Sequence, residues 1–300
     1  MSKYTHIVTE DELGMTINQI LRANYKFSAR FKTKMKYHSL VDLNGVPTRG
    51  YVIPVICDVI GIRLPEEHND FEPEDIPLKV LYEDDDLLVI DKQPGIICHP
   101  TKGHPTHTIA NAVVNYMNNN GDNYKVRFAN RIDMDTSGIV IIAKNANSQN
   151  DISSQMRAKS TVKKYIAVVH GNISEDAFTI NLPVGRPDQV SIQRCVMYEG
   201  GKDAITDVKV LERYSDKYTL VELTLHTGRT HQIRVHLSHI GHPIVGDYLY
   251  GGEAPEFIDR QALHAICMEL KHPITGDPLR IEAEYPDDIT ECINRIKRKG

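Results

Sequence analysis

The chain has 300 residues, is 41% hydrophobic and 25% charged, and carries a formal net charge of −5. That length allows one large domain or two with a sizeable core, and no apolar run is long enough to span a bilayer. Five dispersed cysteines (Cys57, Cys98, Cys195, Cys267 and Cys292) include no CxxC pair, which argues against a disulfide framework or a zinc ribbon and fits a reducing compartment.

The N-terminal MSKYTHIVTEDE lacks an apolar signal region, so a cytoplasmic protein is expected. Ile17, Ile20 and Leu21 predict one face of a helix. A basic row follows, with Arg30, Lys32, Lys34 and Lys36 at alternating positions. Val41–Gly45 predicts a strand running into an Asn-Gly turn, and Cys57–Ile62 a returning strand. Residues 1–63 hold nine Lys/Arg against five Asp/Glu, whereas residues 64–91 hold one against eleven. The acidic stretch EEHNDFEPEDIP, with its two prolines, reads as part of a solvated spacer over residues 65–77, separating a first unit (1–64) from a second (78–300).

The second unit opens with predicted strands Leu78–Glu83 and Leu87–Asp91, then a predicted helix Ile109–Met117. His99, His104 and His107 lie between them without metal-ligand spacing or a carboxylate pair, so no metal is expected there. The stretch NRIDMDTSGIVIIAKN (Asn130–Asn145) comes next. Its β-branched run Ile139–Ile142 predicts a strand buried on both faces, anchoring the charged loop Arg131–Ser137 that precedes it. The loop alone also fits a surface turn with an exposed ion pair. A helix is predicted over Asn147–Arg157 and strands over Lys163–Val169, Phe178–Val184, Thr206–Arg213 and Lys217–Leu225. Within LHTGRTHQIRVHL, Thr230 can cap a helix beginning at His231, with Ile233, Leu237 and Ile240 facing the core and Arg234 off that stripe. His236, His239 and His242 recur every three residues without a third ligand on a shared face, so no metal is expected here either. Strands Ala262–Leu270 and Leu279–Glu284 and a basic tail over Glu291–Gly300, read as a frayed helix, complete the reading.

Four of these stretches, in this order, resemble the signatures of the RluA/RluD-type RNA pseudouridine synthases. Lys92, Pro94 and Gly95 match the first. Arg131, Asp133, Thr136, Ser137 and Gly138 match the HRLDxxTSG loop, and Lys164-Tyr165 matches the next strand. Thr227 to Arg234, His236 and Leu237 match the TGRTHQIRxHL element, followed by Gly241, Pro243, Ile244, Gly246, Asp247, Tyr250 and Gly251. Asn130 stands where that family usually has His, and Gln93 where Pro is common. The N-terminal order of elements resembles the S-four-type RNA-binding module, although Cys57-Asp58 replaces the usual Gly-Asp; an unrelated small α+β cap is the other reading. In such a module Arg30 and Lys34 would contact phosphates without reading sequence.

The resemblance implies an α+β fold: a mixed, largely antiparallel curved sheet with flanking helices, preceded by the small module. It implies isomerisation of uridine to pseudouridine within RNA. That reaction moves no electrons in or out, so no cofactor is expected. Asp133 would be the reacting carboxylate, as nucleophile at C1′ or base at C2′. Arg234 would hold it ionised in a bidentate geometry. Tyr165 would stack on the target uracil and take the C5 proton late, although a core role as a β-former also suits it. Arg131 would fill the space left by the flipped base, and Asp135 would be structural. Lys164, Arg229 and His231 would bind substrate. The expected partner is RNA, ribosomal RNA before tRNA, and the expected state a monomer. Two other classes stay open: a non-catalytic RNA-binding protein on the same fold, and a carboxylate enzyme such as a glycoside hydrolase. The last suffers because Asp133 and Asp135 sit two apart in one loop.

Overall fold

The structure is a computed structural model, which describes residues 4–25, 27, 32–33, 35, 40–63, 68–101, 103–214 and 216–299. Arg30, Lys34 and Lys36 of the basic row lie outside the described residues.

A small sheet is built from β1 (Tyr4–Ile7), β2 (Val41–Leu43), β3 (Val46–Pro47) and β4 (Val59–Ile62), in the order β1-β4-β2-β3. Asn44 and Gly45 both adopt positive φ between β2 and β3, the pairing that a tight two-residue hairpin demands. Helix α1 (Ile17–Asn24) starts at Thr16, whose hydroxyl accepts from the Gln19 amide. It buries Ile17, Ile20 and Leu21 against Tyr4, Val41, Ile60 and Ile62, the face its apolar spacing predicts.

The large sheet has nine strands: β5 (Lys79–Glu83), β6 (Leu87–Lys92), β7 (Ser137–Ala143), β8 (Val162–His170), β9 (Ala177–Asn181), β12 (Ile205–Tyr214), β13 (Tyr218–Leu225), β14 (Leu263–Lys271) and β15 (Pro278–Glu282). Its order is β5-β6-β7-β14-β8-β13-β12-β9, with β15 also paired to β14. Every pairing is antiparallel except β7 with β14. The short ribbon β10 (Val184–Gly185) and β11 (Cys195–Val196) stands apart. All seven residues of β7 are buried. Val140 and Ile142 meet α2 (Ile109–Asn120) on one face, while Ile139 and Ile141 meet Ile152 of α3 (Ala146–Arg157) on the other. Two covered faces explain the unbroken β-branched run.

Two expectations need correction. The acidic stretch is not a free spacer in its described part. Phe71 and Ile76 pack on the α2 core, Asn69 bonds to Tyr124 and Val126, and the Asn111 amide donates to Glu72 O at 2.8 Å. The C-terminal segment is helical, as expected from Glu291 on, but the helix starts earlier and is docked rather than frayed. Residues Asp287–Lys299 form a helix, named α5 below, that buries Ile289, Cys292, Ile293 and Ile296 in the main core. Burying each isoleucine contributes about 1.5–3 kcal/mol, enough to dock a surface helix whose other face is charged.

The small sheet is joined to the large one through a polar cluster. The Tyr4 hydroxyl donates to Asp86, which also accepts from Asn145 at 2.7 Å. Beside it, Asp84 accepts from Tyr82 and pairs with His272 at 2.8 Å. Asp84, Asp86 and His272 lie close enough to suggest a metal site, but each already has a protein partner. His272 Nδ1 accepts from the amides of Ile274 and Thr275, and Ile274 plugs into the core of the small sheet. The hydrogen bond with Asp84 raises His272 above its usual value. A group raised in the folded state stabilises below its unfolded pKa, and that contribution fades as pH rises through the folded value. We expect the stability margin of wild type over His272→Gln to be full at mildly acidic pH, below the usual histidine value of about 6.5, and to shrink as pH rises above it. Thermal melts across that range read it; a flat margin would contradict the ion pair.

Candidate active site

The loop after Asn130 is the tip of a hairpin. Strand β14 pairs with β7 only at Ser137 and Gly138. Residues 127–130 take up the rest of that edge: Ala129 donates to Ile141 O, and Ala143 donates to Arg127 O. The Asn130 side chain closes the pairing, donating to Ile139 O at 3.0 Å and accepting from the Ile141 amide at 2.8 Å. Asn130 is thus committed to the base of the loop and carries no proton to the cleft.

The loop is then held from both sides. Lys92 is wholly buried and donates to three carbonyls: Gln93 and Met134 at 2.8 Å and Ile96 at 2.9 Å. Burial pushes its pKa down to about 8, so at neutral pH it remains a cation clamped to the loop. Arg260 donates to Asp135 O at 3.0 Å and to Ser137 Oγ at 3.2 Å, and pairs with Asp288 of α5. Gln261 donates to Thr136 Oγ1. Gly138 has φ +112°, and a Cβ there would stand 2.3 Å from Ala265 O. Only glycine fits at this close approach of β7 to β14. Asp135, expected to be structural, lends its backbone carbonyl to this scaffold.

The scaffold presents Asp133 to helix α4 (Gln232–His239). Arg234 Nη1 donates to Asp133 Oδ2 at 3.1 Å. The bidentate pair expected between these two is made elsewhere. Arg234 Nε and Nη2 donate to the two oxygens of Asp247 at 2.7 and 2.8 Å. The Arg234 guanidinium also lies 5.0 Å from the Tyr250 ring centre. Asp247 is fully buried, Arg234 is 5% exposed, and the Asp133 side chain is 26% exposed. Burial alone would weaken the charge on Arg234, but Asp247 and then Asp133 reverse this and hold it above its usual range. Three charges of net −1 result, and Oδ1 of Asp133 has no hydrogen bond among the described residues.

Tyr165 stands on β8, opposite Ala265 of β14. Burial, and then the Asp133 charge, push its hydroxyl well above the usual phenol range, so it rests as a neutral phenol. His231 caps α4 with φ 56° and without a side-chain cap bond, so the helix begins one residue later than Thr230 suggested. Its Nδ1 lies 2.8 Å from the Tyr250 hydroxyl, which accepts from the Arg194 amide; its Nε2 lies 3.8 Å from Asp133. Arg131 is exposed at the loop's rim. Arg229 is exposed and donates to Asp203 O at 2.9 Å. Lys164 does not join them. Successive strand residues face opposite sides, and Lys164 pairs with Glu222 at 3.0 Å on the face away from Tyr165. His236 is buried between Thr206 and Leu182 O, a structural role.

The family model described as RNA pseudouridylate synthase matches residues 86–239. Ribosomal large subunit pseudouridine synthase D of Yersinia pestis is 35% identical over 306 residues, covering 97% of this chain and 93% of its own. The chain belongs to the RNA pseudouridylate synthase family. An uncharacterised RNA pseudouridine synthase of Bacillus subtilis (strain 168) is 41% identical over 247 residues, 81% of either chain. The solved structure titled human RNA pseudouridylate synthase domain containing 1 superposes with a TM-score of 0.59 at 27% identity, covering 72% of this chain and 87% of its own. Membership makes this pseudouridine synthase an isomerase that acts on uridine in RNA.

Three supports of the site were not foreseen from sequence: Asp247 as partner of Arg234, Lys92 as the clamp on Met134, and Arg260. The Gly246-Asp247 turn was visible only as a matched motif. Removing Asp247 leaves a buried arginine with only one partial partner. Asp247→Ala is therefore expected to cost about 3–5 kcal/mol of stability, read by chemical denaturation. A loss below about 1 kcal/mol would mean that the guanidinium is solvated.

Proposed function

We propose that this pseudouridine synthase modifies uridines of large-subunit ribosomal RNA, with Asp133 as the reacting carboxylate. The observation that carries this reading is the asymmetric hold on Asp133. Arg234 is already neutralised by Asp247 and binds one oxygen of Asp133, which leaves the other oxygen free for chemistry. In the reaction N1–C1′ breaks and C5–C1′ forms, C5 loses a proton and N1 gains one. Uracil leaves as a stabilised anion, so one carboxylate suffices. Attack at C1′ and proton removal at C2′ would both use that free oxygen.

The target base has to leave its stack, at a cost of a few kcal/mol. Tyr165 offers the uracil an aromatic face, and Arg131 at the rim is placed to take the vacated space. The neutral Tyr165 phenol can accept the C5 proton only as its own proton moves on. The ribosomal target is supported by the naming of relatives from Yersinia pestis and Haemophilus influenzae, 35% and 33% identical over 97% of this chain, as ribosomal large subunit pseudouridine synthase D. The N-terminal unit, read as an S-four-type module, would add salt-sensitive affinity through its basic row.

The test is tritium release from transcripts carrying tritium at uridine C5. Large-subunit ribosomal RNA is expected to release tritium, tRNA transcripts are not, and Asp133→Asn is expected to reduce release to background while still binding RNA. Release only from tRNA would overturn the ribosomal target. Undiminished release by Asp133→Asn would overturn the assignment of the carboxylate.

A further inference from the structure

Lys163 and Lys164 are neighbours with opposite fates. Lys164 is neutralised by Glu222 on the far face of β8. Lys163 lies two residues before Tyr165 and therefore shares its face of the sheet. It is only partly exposed. Its amino group has no hydrogen bond or ion pair among the described residues. Burial, with no opposing carboxylate, lowers its pKa from the usual ammonium value. A desolvated ammonium without an anion is costly, and an arrangement of this kind is relieved when an anion arrives.

The surroundings say where the anion would come from. A Cβ at Gly228 would stand 3.9 Å from Lys163 Nζ. The amino group therefore lies beside the Thr227–His231 loop that leads to Arg234. With glycine at 228, no side chain of that residue covers the ammonium. Residues two apart on a strand stand about 6.6 Å apart, so Lys163 leaves the sheet beside Tyr165, within a lysine side chain's reach of the backbone of a nucleotide whose base stacks there. The only charged oxygens that RNA offers there are phosphates.

We propose that Lys163 binds the phosphodiester flanking the flipped nucleotide and so fixes its backbone while the base lies against Tyr165. The identity of the nucleotide rests on the pseudouridine synthase reading; the phosphate contact does not. As a point charge with three donors, a lysine suits phosphate without demanding one orientation. Lys163 takes no part in breaking or making bonds in the base, so its loss is expected to affect binding and leave the chemical step intact.

The test measures binding of a large-subunit ribosomal RNA transcript over a range of salt, together with single-turnover tritium release at saturating RNA. Four proteins are compared: wild type, Lys163→Met, Lys163→Arg and Lys164→Met, with thermal melts to establish that each is folded. Lys163→Met is expected to bind about tenfold more weakly at moderate salt, with the log–log salt slope reduced by about one. Saturated release should stay close to wild type. Lys163→Arg should restore most of the affinity and the slope, and Lys164→Met should leave both unchanged. An unaltered slope in Lys163→Met, or an equal effect in Lys164→Met, would overturn the proposal. So would a loss of saturated release at unchanged affinity. Absence of tritium release from every protein, with the slope change still seen, would sink the proposed ribosomal reaction and leave the phosphate contact standing.

Discussion

Arg234 is the constraint on which the site depends. A guanidinium that is 5% exposed would be unstable without anions, and two carboxylates meet it from different parts of the chain. Asp247 takes two of its donors in a fork, at full burial. That arrangement fixes the plane of the guanidinium. Nη1 is then aimed at one place, and Asp133 Oδ2 occupies it. The geometry gives the two aspartates different tasks. One compensates charge and sets orientation; the other remains partly open to solvent with one oxygen uncommitted.

Fixing Arg234 would achieve little if the loop carrying Asp133 could drift. The loop is the end of a hairpin whose second strand is buried on both faces. Lys92 fastens the carbonyl that follows Asp133, and Arg260 ties the next one to the C-terminal helix through Asp288. Two buried cations thus bond to the two backbone carbonyls that follow a reactive acid, which needs rigid support more than additional charge. The docking of α5, which the sequence reading takes for a frayed helix, therefore reaches the site through a single arginine.

Much of this was legible in the residues. The β-branched run Ile139–Ile142 announced a strand covered on both sides, and the Asn-Gly pair announced the first hairpin. Matched motifs placed Asp133, Tyr165 and Arg234 together. What escaped were long-range relations. Nothing in the sequence shows that β14 inserts between β7 and β8, or that residues 127–130 fill the edge β14 leaves free. The anchoring of Phe71 and Ile76 was hidden because acidic neighbours dominated their composition. Ile289, Ile293 and Ile296 did carry helical spacing, and Lys163 did share the parity of Tyr165. Those two signals were present, and weighing charge above periodicity obscured them.

The central claim is that a planar, forked cation fixed by Asp247 holds Asp133 for reaction. Arg234→Lys tests it most directly, because it keeps the charge and removes the fork. Single-turnover tritium release should fall by about 10²-fold or more, the scale expected when a reacting group is misplaced by an ångström, with RNA binding little changed. Release close to the wild-type rate would show that charge alone suffices and would contradict the account.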